Sequence, residues 1–327
     1  MLDRVSRQDN DRRLATEASF LSRLTNIDLT DLTAQNRINH QLLQWILEQE
    51  INYYQLNLSR IPLTTFSSFF MSVLNMANGL PMNSVEDYQN YIARLNDIPR
   101  YFNENIANMR TGINTHFTLP KIVVEGILPT IEAQVYEEPT KSSLYQPFLK
   151  MSENIAADDQ AKLKLAAKSA LSQSAIPAFK SFGEFFGGDY LQAATQTLGA
   201  EQMHNGKAYY VHQIKTYTTL TNISAKQIHQ TGLSEVKRIR AEMAKVIKSL
   251  NFDGTFEAFI HYLRTDPKFY AKSPKELLKE AAYIAKRIDY VMPEFFGKLP
   301  RLPYGVVPVP KEIAPNYTTA SYNPAIV

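Results

Sequence analysis

Cysteine is absent from the 327 residues. Its absence removes a disulfide framework, a thiolate metal site and a cysteine nucleophile together. A long apolar run is also missing: nothing approaches the roughly 18 residues needed to span a bilayer. The first 13 residues are rich in charge and have no apolar h-region, so no signal peptide is read there. Excess charge of one sign is lacking too, with 35 Lys and Arg against 32 Asp and Glu, a net +3. That balance gives no electrostatic footprint for nucleic acid. Residues 226–300 carry 14 basic and 9 acidic side chains, mixed along the sequence. They read as a solvated face, not as a phosphate-binding surface.

What is present is helical periodicity. Between residues 36 and 56, Ile38, Leu42, Leu43, Ile46, Leu47, Ile51 and Leu56 recur at helical steps, which predicts one apolar stripe. Residues 66–76 predict a short apolar helix closed by Asn78 and Gly79. Ser84 is a cap for a helix over residues 85–95, and Pro99 lies near the start of another. Pro120 opens a helix through Ile131 that Pro129 is expected to kink or break. Residues 156–172 are alanine- and lysine-rich and form helix readily. The stretch 182–188 has glycines without a Gly-Lys-Ser/Thr ending. It reads as a turn between helices, not a phosphate loop.

Punctuation is sharper further on. Ser224 and Gln227 spell a capping box. Val236, Ile239, Met243, Val246 and Leu250 then follow at steps of 3, 4, 3 and 4, a short heptad seam expected to pack against neighbours in its own domain. Phe256, Phe259, Ile260 and Leu263 mark a short amphipathic helix. Ser273, Pro274 and Glu276 form a strong helix start, with Leu277, Ala281, Ile284, Ile288 and Val291 inward and Pro293 at the end. Seven of the 17 prolines fall in the last 35 residues. The tail is therefore extended, and it reads as cut short instead of finished.

The residues spell no complete active site. None of the six histidines, His40, His116, His204, His212, His229 and His261, pairs with another at i, i+4, so a zinc helix is missing. No Gly-x-Ser-x-Gly is present. Tyr209 and Tyr210, after Asn205 and Gly206, could line a cleft, although packing is the commoner fate of such a pair.

Five segments nevertheless resemble one family. They are YQNYIARLNDIPRYFNENIAN (88–108), NGKAYY (205–210), YTTLTNISAKQIHQTGLSEVKRIR (217–240), LRTDPKFY (263–270) and GKLPRLPYGVVPVP (297–310). In order and spacing they resemble the domain-of-unknown-function 885 proteins, often exported or lipoprotein-like, which look like zincin metallopeptidases. In that family a His-Glu-x-x-His helix follows the region equivalent to this tail. The resemblance thus implies a zinc-dependent peptidase whose zinc ligands and general base lie outside this chain, which would be inactive alone. By the same resemblance, Thr195, ahead of Gly199, stands where many relatives have an arginine.

The expected fold is mostly α, a multi-helix antiparallel array with a proline-rich extended C-terminal tail. Residues 1–200 would form a helical domain, 201–298 a second helical segment of the same body, and 299–327 a tail leading towards an absent catalytic part. Tyr209, Tyr210, His229 and Tyr304 are the candidate substrate-binding residues. No cofactor is expected in this chain, and zinc only in the complete protein. The expected partners are a peptide substrate, held together with the missing catalytic half, and another copy through the tail; nucleic acid and a membrane-spanning segment are not expected. The competing reading is a non-catalytic helical binding or scaffold protein.

Overall fold

A computed structural model describes residues 1–65, 67–309, 314, 320 and 322. Phe66 and most of the tail beyond Val309, with Pro310 and Pro315, lie outside them. The chain forms two compact units, Met1–Gln227 and Ile228–Val327. The division falls inside a helix, near residue 227. Among the described residues the fold is all helix, with two isolated bridges in place of strands.

The first unit is built on one long helix. In order, α1 (Arg7–Thr25) and α2 (Ala34–Gln55) pair, α3 (Phe69–Leu74) is short, and α4 (Val85–Asn114) runs 30 residues. Ser84 caps α4 through Asp87 N, and Asp87 closes the capping box. Pro99 lies inside α4 instead of starting a new helix. Its ring deprives the Leu95 carbonyl of its helical donor, yet Leu95, Ile98 and Phe102 are all buried. Core packing on both sides outweighs the lost bond. Pro129 is carried in the same way within α5 (Lys121–Glu132), which does not break there.

Residues 182–188 are helical and not a turn. The helices α6 (Ala157–Ala170), α7 (Ile176–Phe185) and α8 (Leu191–Ala193) follow one another through two π-turns, Leu171–Ala175 and Phe186–Tyr190. The first π-turn precedes Pro177, where a wider turn accommodates the missing donor. Across the second, Phe182, Phe186 and Tyr190 are buried. Gly187 lets Leu128 approach, since a Cβ there would lie 3.2 Å from its Cδ2. Apolar burial overrides the weak helix propensity of glycine.

These helices close on an aromatic core. Phe69 meets Phe102 at 5.1 Å and Phe182 at 4.9 Å, and Phe102 meets Phe179 at 4.9 Å, all edge to face. Tyr88 and Tyr91 bury their rings and donate to the carbonyls of Pro147 and Leu144. Burial pushes the Tyr91 and Tyr190 hydroxyls up, Tyr190 to about 12. The α2 stripe is only partly inward: Leu47 is buried, but Ile38, Leu42, Leu43 and Ile46 are exposed. α1, its partner, is largely polar and covers little apolar surface.

The unit closes with α9 (Gly206–Thr218). In the second, α10 (Ala225–Ser249), α11 (Phe256–Thr265) and α12 (Pro274–Phe295) follow. The starts of α10 and α12 are where the capping boxes place them; Ser224 and Gln227 bond reciprocally, and Ser273 accepts from Glu276 N. Pro293 does not end α12, which continues to Phe295. No described residue from Ile228 onward is buried. The heptad seam of α10 is exposed, against expectation, as are Leu277, Ile284 and Ile288 of α12. Of the expected row, Ala281 and Val291 are half-buried, beside Glu276, Leu278, Ala285, Asp289 and Met292. Phe252, Phe259, Tyr262 and Phe269 form a small aromatic cluster around α11.

Phe182→Ala would open a cavity in the first core and is expected to lower unfolding free energy by about 3–5 kcal/mol. Ser84→Ala should cost about 1 kcal/mol by loss of its cap. Urea denaturation of the two variants measures both.

Candidate functional site

The Tyr209–Tyr210 pair owes its position to a backbone constraint. Asn205 is left-handed, with φ 57, and Gly206 starts α9 against the preceding turn. A Cβ on Gly206 would lie 1.7 Å from the Ala200 carbonyl oxygen, so only glycine fits. Tyr209 then turns its ring edge to face onto Phe117 at 5.4 Å. It is half-buried, and that burial raises its hydroxyl pKa. Tyr210, one residue on, is exposed.

The same helix meets α2 along a polar seam that sequence reasoning did not identify. Lys215 Nζ lies 3.2 Å from Glu48 Oε2. Thr216 Oγ1 lies 2.9 Å from the His212 carbonyl and 3.3 Å from Gln49 Oε1, the carbonyl taking the shorter bond. Gln49 Nε2, Trp45 Nε1 and His212 Nδ1 are buried without a hydrogen-bond partner. Burial first, and Lys215 second, hold the His212 imidazole below its ordinary pKa. The i, i+4 pairs Trp45–Gln49 and His212–Thr216 were the available signal, because both place polar groups on one helical face.

The remaining candidates lie in the second unit. His229 is exposed, one turn into α10. The Tyr304 hydroxyl donates to the Ala285 carbonyl of α12 at 3.2 Å; burial, with Asp289 beside it, raises its pKa. Two of the four candidates, Tyr209 and Tyr304, therefore have partners within the chain, while Tyr210 and His229 are open. Neither unit by itself gathers all four. Thr195 has a backbone role: its nitrogen donates to Leu119 O at 3.1 Å and its carbonyl accepts from Lys121 N at 2.8 Å. Among the described residues no three of His, Asp and Glu converge to hold a metal ion, and no helix is long and apolar enough to cross a membrane.

Because His212 resists protonation when folded, the unfolded chain binds more protons below the ordinary histidine value of 6.5. Stability should therefore fall as pH drops below about 6.5, and His212→Asn should flatten that slope in denaturant titrations at pH 5 and pH 7. Gly206→Ala forces the Ala200 carbonyl to move and is expected to destabilise the first unit by more than 1 kcal/mol, read by thermal unfolding.

No curated relative matches the sequence. Among solved structures, the chain is similar to one described as "the putative lipoprotein from Colwellia psychrerythraea", at 19% identity and a TM-score of 0.86. The match covers 95% of this chain and 56% of that one, so the chain spans little more than half of that neighbour's length. That likeness establishes the shared helical fold. The sequence profile of the family described as "Bacterial protein of unknown function (DUF885)" matches residues 1–326, and the chain belongs to that family.

Proposed function

We propose that this chain forms the helical wall of a peptide-binding cleft in a zinc-dependent peptidase of exported type, and is inactive by itself. The observation that carries this reading is the uncovered apolar surface of the second unit. Val236, Ile239, Met243 and Val246 of α10, with Leu250 just after it, are 38–60% exposed, and Leu277, Ile284 and Ile288 of α12 are 52–63% exposed. Contiguous apolar rows on helices of this length call for cover. The solved neighbour has further chain, being only 56% covered, and an added portion of that kind would supply it.

The zinc and peptidase parts of the reading rest on the resemblance to zincin-like relatives. The described residues bring no three metal ligands together, so they do not fit a zinc ion, and no step here runs through one. What this chain supplies is binding surface. Tyr210 and His229 are the open candidates for peptide contact, one in each unit.

Zinc analysis and a quenched-peptide cleavage assay, run on this chain and on a form extended beyond Val327, test the reading. The extended form should hold about one zinc and cleave peptides, and this chain should do neither. An extended form that holds no zinc and cleaves nothing would overturn it in favour of a non-catalytic helical binding or scaffold protein.

A further inference from the structure

The last helix of the first unit is held on α2 by contacts that are poorly balanced. Lys215 Nζ lies 3.2 Å from Glu48 Oε2, and Thr216 Oγ1 lies 3.3 Å from Gln49 Oε1. Trp45 stands one turn before Gln49 and His212 one turn before Thr216, so the four share the facing sides of α2 and α9. On three of them a nitrogen is buried without a hydrogen-bond partner: Trp45 Nε1, Gln49 Nε2 and His212 Nδ1. Gln49 as a whole is 7% exposed. Among the described residues four side-chain atoms are in that state, and three of them lie in this one seam. A buried polar group without a partner loses free energy that water would restore.

Little apolar burial opposes that cost. Of the 13 residues of α9, Gly206 and Ile214 are buried. Tyr209 adds its ring contact with Phe117, while Tyr210, Val211 and Tyr217 are exposed. The backbone at both ends is left-handed, with φ 57 at Asn205 and φ 59 at Thr219. Asparagine tolerates that conformation, but a β-branched residue is strained in it. The docked position of α9 therefore stores strain at Thr219. The two ends are placed to absorb a change of backbone angle.

We propose that α9 is a latch. It lifts from α2 as an intact helix, turning at Asn205 and Thr219, while the rest of the first unit stays folded. Trp45, Gln49 and His212 then meet water, and Trp45 joins the row of Ile38, Leu42 and Ile46 that α2 already exposes. Elements that move are drawn from the parts of a fold with least local stability. The motion needs neither zinc nor peptide, so it stands apart from the peptidase reading.

The chain has no cysteine and one tryptophan, Trp45, so a thiol and a fluorescence probe are each specific. Gln49→Cys places a single thiol in the seam, and Ala167→Cys places one in the core, where Ala167 is 0% exposed. A thiol reagent should modify Gln49→Cys at least about tenfold faster than Ala167→Cys, because the first needs only the local opening. Adding Thr219→Asn, which is at ease in the left-handed region, should slow that modification about fivefold. Thr219→Asn alone should also reduce acrylamide quenching of Trp45. The amide hydrogens of α9 should stay protected while the thiol reacts, since the helix moves whole. Equal modification of the two thiols overturns the proposal, as does loss of amide protection in step with the thiol reaction, which would mean melting instead of lifting. If Gln49→Cys fails to fold, quenching of Trp45 with and without Thr219→Asn decides the matter, and no difference overturns it.

Discussion

A guanidinium without a carboxylate partner joins the helix ends of the first unit. Arg60 is 4% exposed. It donates at 2.8 Å to the carbonyls of Leu56 and Asn57 and to Thr115 Oγ1. Its charge lies over the Phe117 ring at 4.0 Å. A buried charge needs partners for its donors, and three of this guanidinium's five N–H groups reach the end of α2, the turn after it and the end of α4. Phe117 in turn carries Tyr209. Gly112 belongs to the same constraint, because a Cβ there would lie 2.7 Å from Phe117 O. The placement of α9 thus depends on a cation buried some 150 residues earlier in the sequence.

The two units spend their apolar residues differently. The first encloses phenylalanines and tyrosines from five helical segments and leaves only rows such as that of α2 outside. The second encloses almost nothing, although α10 and α12 are equally amphipathic. Hydrophobic free energy comes from area removed from water, so the second unit gains little of it from its own helices. Its order rests on capping, on the Arg238 pairs with Glu235 and Glu242 and on the aromatic cluster around α11. Exposed ion pairs of this kind contribute less than about 1 kcal/mol each.

Much of this was written locally. Caps at Ser84, Ser224 and Ser273, the alanine-rich α6 and the absence of period-two alternation depend on neighbours within four residues, and the sequence by itself determined them, as it did the family likeness. Whether Pro99, Pro129 and Pro293 interrupt a helix was not local, because packing on both flanks outweighs one lost hydrogen bond. The glycines of 182–188 stay helical because burial of Phe182, Phe186 and Tyr190 outweighs their weak helix propensity. Amphipathic spacing shows that a helix has an apolar face, but it does not show whether anything covers that face; α4 is covered, while the rows of α10 and α12 are not. Only the tertiary structure decided the candidate sites. Tyr209 is held by Phe117 from another segment, and Tyr304 by the Ala285 carbonyl. Burial and charge separation arise between residues far apart in the chain, and spacing along the sequence does not encode them.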